Sequence, residues 1–264
     1  MACVGKLETL LGILVTTFVP KGAELRLRAI QQTADSWKKF MKYDGKFHIH
    51  VTDDGSDPLY DSEYWRSVYL SNWPSAVSFS YSRQERQGVG ASLNRGFDAC
   101  FEYTPLVFYG ADDWSLLNTI NITPWAEILM EYDDIGCVRL GVSSPFLRGG
   151  EMVRYKDIWA IKFEKYSYIW CQRPALYHKR FIQSYGAFPE MEKATEVDRI
   201  WNDIVLTKEG PDVVLALLHP WQHLWSIEQG DIVPPDNIPS ERLSGEIPFG
   251  TDPIHTGNLP SLLS

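Results

Sequence analysis

The sequence predicts an α/β fold in which a mostly parallel central sheet is flanked by helices. Short apolar runs of strand type alternate with stretches of helical periodicity over roughly the first 115 residues, in the order β-α-β-α-β-α-β. This alternation is typical of parallel strands that are covered by helices on both faces. Several apolar runs end in polar residues, and ligands bind open α/β sheets beyond the carboxyl ends of the strands. We therefore expect a binding site at that end of the sheet.

Seven elements make up this alternating first half. Buried strands are predicted from short apolar runs that end at breaks, and helices from an apolar face that repeats every three to four residues. The predicted strands are residues 11–18, 47–52, 76–81 and 106–109, and the predicted helices are residues 22–43, 61–73 and 87–102.

The second half is less regular. Helices are predicted at residues 123–132, 178–185 and 195–206, and strands at 137–142, 153–163, 168–176 and 213–218. The two aromatic strands, 153–163 and 168–176, are expected to pair. From residue 230 onward, repeated prolines break any regular element, so an extended C-terminal tail is predicted.

Charge and cysteine content exclude several classes of protein. With a net charge of −9, the chain is poorly suited to hold nucleic acid through its phosphates. The four cysteines are scattered without a CxxC spacing, which favours free thiols in a reducing, cytoplasmic environment. Residues 10–19 are better explained as a strand than as a signal peptide, because no small-residue cleavage site follows. No apolar run reaches the ~20 residues that span a bilayer, so a soluble protein without a transmembrane segment is expected.

Paired carboxylates follow two of the predicted strands. The apolar run that begins at Val107 stops at Asp112 and Asp113, and strand 47–52 stops at Asp53 and Asp54. Adjacent carboxylates repel one another unless a positive group neutralises them, and a divalent cation that carries phosphate oxygens is such a group. The alternatives are a capping role for Asp113 and a simple turn at Asp54. Two acidic pairs at the same end of the sheet favour binding.

Four segments follow one another in order: Val15-Thr-Thr-Phe18, Val51-Thr-Asp-Asp-Gly-Ser56, Gly88 with Asn94-Arg-Gly96, and Asp112-Asp113. Together they resemble the nucleotide-sugar half of inverting glycosyltransferases with the GT-A fold, and they are most similar to glycosyltransferase family 2. The resemblance covers residues 11–114 well and residues 180–225 loosely. It implies a GT-A-like (Rossmann-like) sheet with a smaller mixed region on the acceptor side.

The resemblance also implies a division of the chain. Residues 1–229 would form a single GT-A-like domain, with a nucleotide-sugar-binding half at 1–117 and an acceptor half with the catalytic residues at 118–229. The Pro-rich tail at 230–264, which the resemblance does not cover, is expected to lie over this body or to reach a neighbouring subunit of a homo-oligomer. The activity implied is metal-dependent transfer of a sugar, with inversion, from a nucleoside diphosphate sugar to an acceptor hydroxyl. The acceptor stays open among a glycan, a protein and a lipid-linked saccharide.

On the donor side, the resemblance makes Asp113 a ligand of Mn²⁺ or Mg²⁺, with Asp112 assisting it or touching the ribose. The family pattern is an acid, any residue and an acid, and Gly110 stands at the first acidic place. The division of roles between the two aspartates is therefore open. Asp53 and Asp54 would meet the nucleoside, and a carboxylate that accepts from a pyrimidine ring N–H fits a uridine donor. Further donor-site candidates are Thr16 and Thr17 at the base, Arg83, Arg86 and Arg95 at the diphosphate, and Asn94 in the helix that follows.

The acceptor half requires a general base, because an inverting transfer removes the proton of the acceptor hydroxyl during attack. Gly186-Ala-Phe-Pro-Glu190 followed by Thr195-Glu-Val-Asp198 resembles the family segment in which a glycine-aromatic-acid turn precedes a Glu-Asp pair. Val197 separates the two acids here, so either Asp198 or Glu196 is the base, and Asp198 is favoured. The alternative is a capping box that begins a helix at Thr195.

A late histidine completes the metal site of many GT-A enzymes, and imidazole suits Mn²⁺ beside carboxylates. His223 is the candidate, and His219 is the second choice, at or before the start of a helix after Pro220. A structural role among the many tryptophans is the alternative.

Two other functions stay open. A sugar-phosphate nucleotidyltransferase has a similar sheet, but such enzymes carry a glycine-rich basic loop after the first strand, where this chain has Val19-Pro-Lys-Gly-Ala23. A non-catalytic module that binds a nucleotide or a glycan would keep Asp53 and Asp113 but would need no base at Glu196 or Asp198.

Overall fold

The computed structural model of the chain describes residues 10–71, 73, 75–116, 118–140, 151–155, 158–164, 174–191, 193–211, 213–216 and 221–223. Its strands are β1 (Leu10–Thr17), β2 (Met41–Lys42), β3 (Lys46–Asp53), β4 (Ala76–Arg83), β5 (Leu106–Tyr109), β6 (Trp114–Leu116), β7 (Ile120–Asn121), β8 (Ile135–Arg139), β9 (Glu151–Tyr155), β10 (Ile158–Glu164), β11 (Ala175–His178), β12 (Val213–Ala216) and β13 (Trp221–His223). Its helices are α1 (Glu24–Phe40), α2 (Ser62–Leu70), α3 (Val89–Phe101), α4 (Thr123–Glu131), α5 (Lys179–Tyr185) and α6 (Ala194–Thr207).

Nine of these strands form one sheet in the order β4-β3-β1-β5-β11-β8-β12-β10-β9. Parallel pairing joins β4, β3, β1 and β5, and it also joins β8 to β12. β11 runs antiparallel to β5 and β8, and β10 runs antiparallel to β12 and β9. The predicted α/β class with a mostly parallel central sheet is confirmed.

Helices cover the sheet on both faces because side chains alternate along each strand. Ile13 of β1 belongs to a core cluster that also holds Trp37 of α1 and Ile128 of α4. The next residue, Leu14, belongs to a second cluster with Phe97 of α3 and Trp201 of α6. The strands are therefore buried on both sides, which explains why the sequence shows continuous apolar runs rather than alternation.

Three local predictions are wrong. The predicted strand 153–163 is two strands, β9 and β10, which pair with each other. Residues 168–176 are predicted to pair with that strand, but β11 (Ala175–His178) lies between β5 and β8. In this place its Leu176 and Tyr177, which point to opposite faces of the sheet, are at most 1% exposed. Residues 221–223, expected near a helix start, form β13, which pairs with β6. Residues 168–173 and the predicted tail at 230–264 lie outside the described residues.

Two further expectations concern thiols and membranes. Cys100 and Cys137 are both buried as thiols. Among the helices described, none combines the length and the apolar character needed to cross a bilayer.

Candidate active site

The carboxyl ends of β1, β3 and β5 meet at one end of the sheet. The parallel register sets Thr17 of β1 beside Asp53 of β3. The chain continues this contact beyond the strands, because the backbone N–H of Asp54 donates to the carbonyl of Thr17 at 2.9 Å. β5 ends at Tyr109, and the loop that follows carries Asp112 and Asp113, which are 2% and 7% exposed. The predicted gathering of polar residues from three strand ends is therefore present.

Asp112 is held by two elements that precede it in the chain. The Thr17 hydroxyl donates to its Oδ2 at 2.6 Å, and the Arg26 guanidinium donates to its Oδ1 at 2.7 Å. Arg26 lies in the first turn of α1, and its Nε also donates to the carbonyl of Phe18. Arg26 thus balances the charge of one of the two adjacent carboxylates, and the Thr17 hydroxyl holds the second oxygen of the same carboxylate.

Tyr109, the last residue of β5, is fully buried and shares a core cluster with Val197 and Trp201 of α6. Burial raises the pKa of Tyr109, and the negative charges of Asp113, Asp112 and Asp198 raise it further, while a hydrogen bond with Thr16 opposes this change. Asp198 lies between Val197 and Trp201 in the chain, so this part of α6 packs in the same core cluster as the end of β5.

Asp53 and Asp54 are engaged with the protein itself. Asp53 is fully buried, and its carboxylate accepts from the Ser56 backbone at 2.8 Å and from the Tyr81 hydroxyl at 2.8 Å. Asp54 accepts from the backbone N–H groups of Gln87 and Gly88 at 2.8 and 2.9 Å. These bonds tie the end of β3 to the loop that leads into α3. Direct binding of a nucleoside by this pair stays a prediction.

The predicted arginines lie around the same loops. Arg86 stacks its guanidinium over the Phe18 ring, 4.3 Å from the centroid. Arg83 forms an ion pair with Asp53 at 3.8 Å and donates to the Ser56 carbonyl, and Arg95 donates to the Arg83 carbonyl at 3.2 Å. The contact with Phe18 therefore sets Arg86 beside the loop that follows β1.

Asn94 contacts the loop that leads into α6. Its amide nitrogen donates to the carbonyl of Phe188 at 3.0 Å, and the Phe188 N–H donates to its amide oxygen at 2.7 Å. A role for Asn94 in binding the donor stays a prediction, and this paired contact is what the structure shows.

Glu196 and Asp198 lie in the first turns of α6, and both are partly buried. The helix begins at Ala194 with Lys193 as the N-cap residue, whose side chain makes no cap hydrogen bond. Thr195 is thus inside the helix, and the capping-box explanation of Thr195 and Asp198 is wrong. The reason is that the N-cap is Lys193, two residues before the Thr195 that the Thr-x-x-Asp pattern predicts. A catalytic role for Glu196 or Asp198 stays a prediction.

His223 pairs in β13 with Trp114, the neighbour of Asp113 in the chain. The backbone register therefore brings residue 223 next to the predicted metal ligand, whereas His219 lies outside the described residues.

A divalent cation fits the carboxylates present. Within the described ranges, no group of three or more His, Cys, Asp or Glu side chains is arranged as a ready ligand set. Mg²⁺ and related ions are commonly bound by one or two carboxylates together with substrate phosphates, so such a set is not required. Asp113 and its neighbour Asp112, already balanced by Arg26, satisfy that pattern.

Two residues of this site were not singled out by the sequence. Arg26 lies at the start of the helix that follows β1, and a cation there is expected to lie over the carboxyl ends of the strands. Tyr109 reads as the last apolar residue of a buried strand, and nothing in its spacing distinguishes its hydroxyl.

No family model matches the sequence, and a search of curated proteins also finds no match. Solved structures match the fold. TarS 1–349 from S. aureus matches with a TM-score of 0.52 and 16% identity, covering 79% of this chain and 58% of that one. The same protein in complex with UDP-GlcNAc matches with a TM-score of 0.51 and 17% identity, covering 89% of this chain and 65% of that one.

These matches, together with the sheet order and the strand-end carboxylates, define the class: the chain has the GT-A glycosyltransferase fold. It spans 58% of the length of TarS 1–349, so the likeness concerns the shared sheet and its helices.

Proposed function

We propose that the protein is an inverting, hexosyltransferase-type glycosyltransferase, similar to family 2, that transfers a sugar from a UDP-sugar to an acceptor hydroxyl. One observation carries the proposal: the buried carboxylates of Asp112 and Asp113 follow β5 at the end of the sheet where β1 and β3 finish, and α6, which bears Asp198, packs in the same core cluster as Tyr109 of β5. This arrangement supports Asp112 and Asp113 as donor-site acids and Asp198 as the base. The complex of TarS with UDP-GlcNAc, a protein of the same fold, supports a uridine donor.

The residues divide between two halves of the reaction. On the donor side, Arg26 and Thr17 orient Asp112, and Arg86 lies over Phe18 beside the loop after β1. On the acceptor side, Asp198 takes the proton of the acceptor hydroxyl as the oxygen attacks the anomeric carbon, and the nucleoside diphosphate leaves from the opposite face. Glu196, two residues earlier in α6, is the alternative base.

The divalent cation would be held by Asp113, with Asp112 beside it and the donor phosphates completing the ligands. When bound, Mn²⁺ or Mg²⁺ supplies charge stabilisation to the departing diphosphate. The four scattered cysteines, which show no CxxC spacing, support a cytoplasmic location.

The first test is turnover of donors. We expect the protein with Mn²⁺ to release nucleoside diphosphate from at least one sugar in a panel of UDP- and GDP-sugars, slowly with water and faster with a suitable acceptor. Asp113→Ala should reduce this release by at least 100-fold, whereas Asp98→Asn, an exposed change on α3, should leave it unchanged. Absence of both binding and turnover for every donor would refute the proposal, and release of pyrophosphate from a sugar phosphate and UTP would identify a nucleotidyltransferase.

The second test assigns the base. Asp198→Asn keeps the shape of the side chain but removes the basic oxygen, so donor binding should persist while transfer falls by about 10²–10⁴-fold. Asp203→Asn, on the exposed end of the same helix, is the matched control. If Asp198→Asn is fully active and Glu196→Gln is not, the base is Glu196.

A further inference from the structure

The feature that carries a further inference is the contact between α3 and the loop that leads into α6. Asn94 offers one donor and one acceptor, and both meet the backbone of a single residue, Phe188, at 3.0 and 2.7 Å. This is the paired arrangement that two strands make, formed here by one side chain. Because both bonds fix the same peptide position, the loop cannot rotate about Asn94 without breaking one of them.

Packing reinforces this contact on the same face of α3. A Cβ at Gly90, one turn before Asn94, would lie 1.8 Å from the carbonyl oxygen of Pro189, so only glycine allows this approach. One turn after Asn94, Phe97 stacks on the Phe188 ring with 5.7 Å between centroids. Positions separated by three or four residues share a helix face, so a continuous strip of α3 receives the loop.

Phe188 of this loop also contacts α6, so the position of the loop determines how α6 packs. The Phe188 ring packs against Trp201 of α6, with centroids 4.2 Å apart, and Trp201 is fully buried. Asp198 lies three residues before Trp201 and therefore shares its side of the helix. The packing that seats Trp201 on Phe188 therefore also fixes the orientation of Asp198, and Trp201 shares a core cluster with Tyr109 at the end of β5.

The same helix α3 also organises the donor side. The backbone N–H groups of Gln87 and Gly88, at its start, donate to Asp54, which follows β3. α3 is therefore in contact with the acids after β3 at its beginning and with the approach to α6 in its middle.

We propose that Asn94 is a positioning residue for Asp198: its paired hydrogen bonds with Phe188 fix the loop before α6 and so set the base candidate against the donor site. This inference rests on the proposed function, and it assigns Asn94 a task other than contact with the donor. Loss of the contact displaces the base while leaving the donor site intact.

The experiment compares Asn94→Ala, which loses both bonds, with Asn94→Asp, which can still accept from the Phe188 N–H but cannot donate to its carbonyl. Asp98→Asn, on the exposed side of α3, is the control. Three quantities are measured: hydrogen exchange of the Phe188 amide, kcat for the active donor, and Kd for UDP or GDP, whichever that donor carries, with Mn²⁺ present.

For Asn94→Ala we expect the Phe188 amide to exchange at least ten-fold faster, kcat to fall by about 10–100-fold because a reacting group is misplaced, and Kd to change less than two-fold. Asn94→Asp should retain most of the amide protection and lose less activity. A graded effect, larger for Asn94→Ala than for Asn94→Asp, distinguishes loss of the contact from general misfolding, because Asn94→Asp keeps one of the two hydrogen bonds.

Several outcomes would overturn the inference. A raised Kd with unchanged kcat would make Asn94 a donor-binding residue, and faster exchange with unchanged kcat and Kd would leave it a structural residue only. If the unmodified protein turns over no donor, the proposed function fails instead, and unchanged protection of the Phe188 amide in Asn94→Ala would still refute the contact itself.

Discussion

Arg26 and Asp112 form an ion pair in which Asp112 is 2% exposed and Arg26 is 17% exposed. Removing one partner of a buried pair leaves the other charge without compensation, which costs more than the pair contributes. We predict that Arg26→Met lowers the free energy of unfolding by about 2 kcal/mol, below the 3–5 kcal/mol typical of fully buried pairs because Arg26 retains contact with water. Urea denaturation at pH 7.5 measures this change.

The control for this prediction is Arg28→Met, an exposed arginine on the same helix. In a double-mutant cycle, Arg26→Met should be less costly in the Asp112→Asn background, where the partner of Arg26 no longer carries a charge. Equal effects in both backgrounds would show that Arg26 stabilises the fold through its aliphatic stem and its bond to the Phe18 carbonyl rather than through Asp112.

At the scale of residues, the sequence predicted which acids gather but not what holds them. Thr17, Asp53 and Asp112 were expected at one end of the sheet because parallel strands finish together. The bond between Arg26 and Asp112 joins residues separated by 86 positions, and it depends on how α1 packs on the sheet. Spacing within a helix indicates which face is buried, but it does not indicate which partner a polar side chain meets.

At the scale of elements, β3 and β4 are joined by a row of side-chain hydrogen bonds. His48 bonds Ser78 and Ser80, and His50 bonds Ser80 and Ser82, with distances between 2.7 and 3.1 Å. Every ring nitrogen of the two histidines is used, which suits neutral imidazoles. Burial, followed by the charge of His48, lowers the pKa of His50 from 6.5 to about 4.

This row predicts a pH dependence of stability. The folded protein binds a proton at His50 less readily than the unfolded chain, so its contribution is complete above pH 6.5 and is lost as pH falls from 6.5 to about 4. At about 1.4 kcal/mol per pKa unit, the whole change is about 3 kcal/mol at most. The loss of unfolding free energy between pH 7.5 and 5, measured in urea, should therefore be smaller for His50→Gln than for the unmodified protein.

His178 provides the comparison for this measurement, because its pKa is also lowered to about 4, by burial first and then by Arg180. It remains in both proteins and contributes equally to both pH profiles. An identical pH dependence with and without His50 would contradict the prediction.

Gly90 of α3 gives a second prediction at the scale of elements. Alanine is the better helix former by up to about 1 kcal/mol, so propensity alone predicts that Gly90→Ala stabilises the protein. The added methyl group would meet the Pro189 carbonyl at 1.8 Å, and backbone cannot yield as a flexible side chain does. We predict a net loss of about 2 kcal/mol, within the range for overpacking. The sign of the change in the urea midpoint decides between the two effects.

At the scale of the whole molecule, the order of strands is what the sequence could not supply. The alternating first half predicts β4, β3, β1 and β5 because each crossover helix leaves a periodic signal. β11 enters the sheet antiparallel beside β5, and its four residues carry no signal that distinguishes this place from pairing with the hairpin of β9 and β10. The position of β11 is decided by burial on both faces, a property of the assembled sheet.

The extent of this sheet along the chain indicates how much of the chain is needed for stable folding. Among the residues that the structure describes, all nine strands of the sheet and every member of the two core clusters lie between residues 10 and 216. We therefore expect a chain truncated after residue 229 to unfold at the same urea concentration as the full chain. Its m-value should also be unchanged, since this slope follows the surface exposed on unfolding.

Truncation after residue 209 is the control, because it removes β12 from between β8 and β10 and should abolish the cooperative transition. A lower midpoint for the 1–229 chain would show that the tail contributes to the stability of the body, and a midpoint that depends on protein concentration only in the full chain would show that the tail acts between subunits.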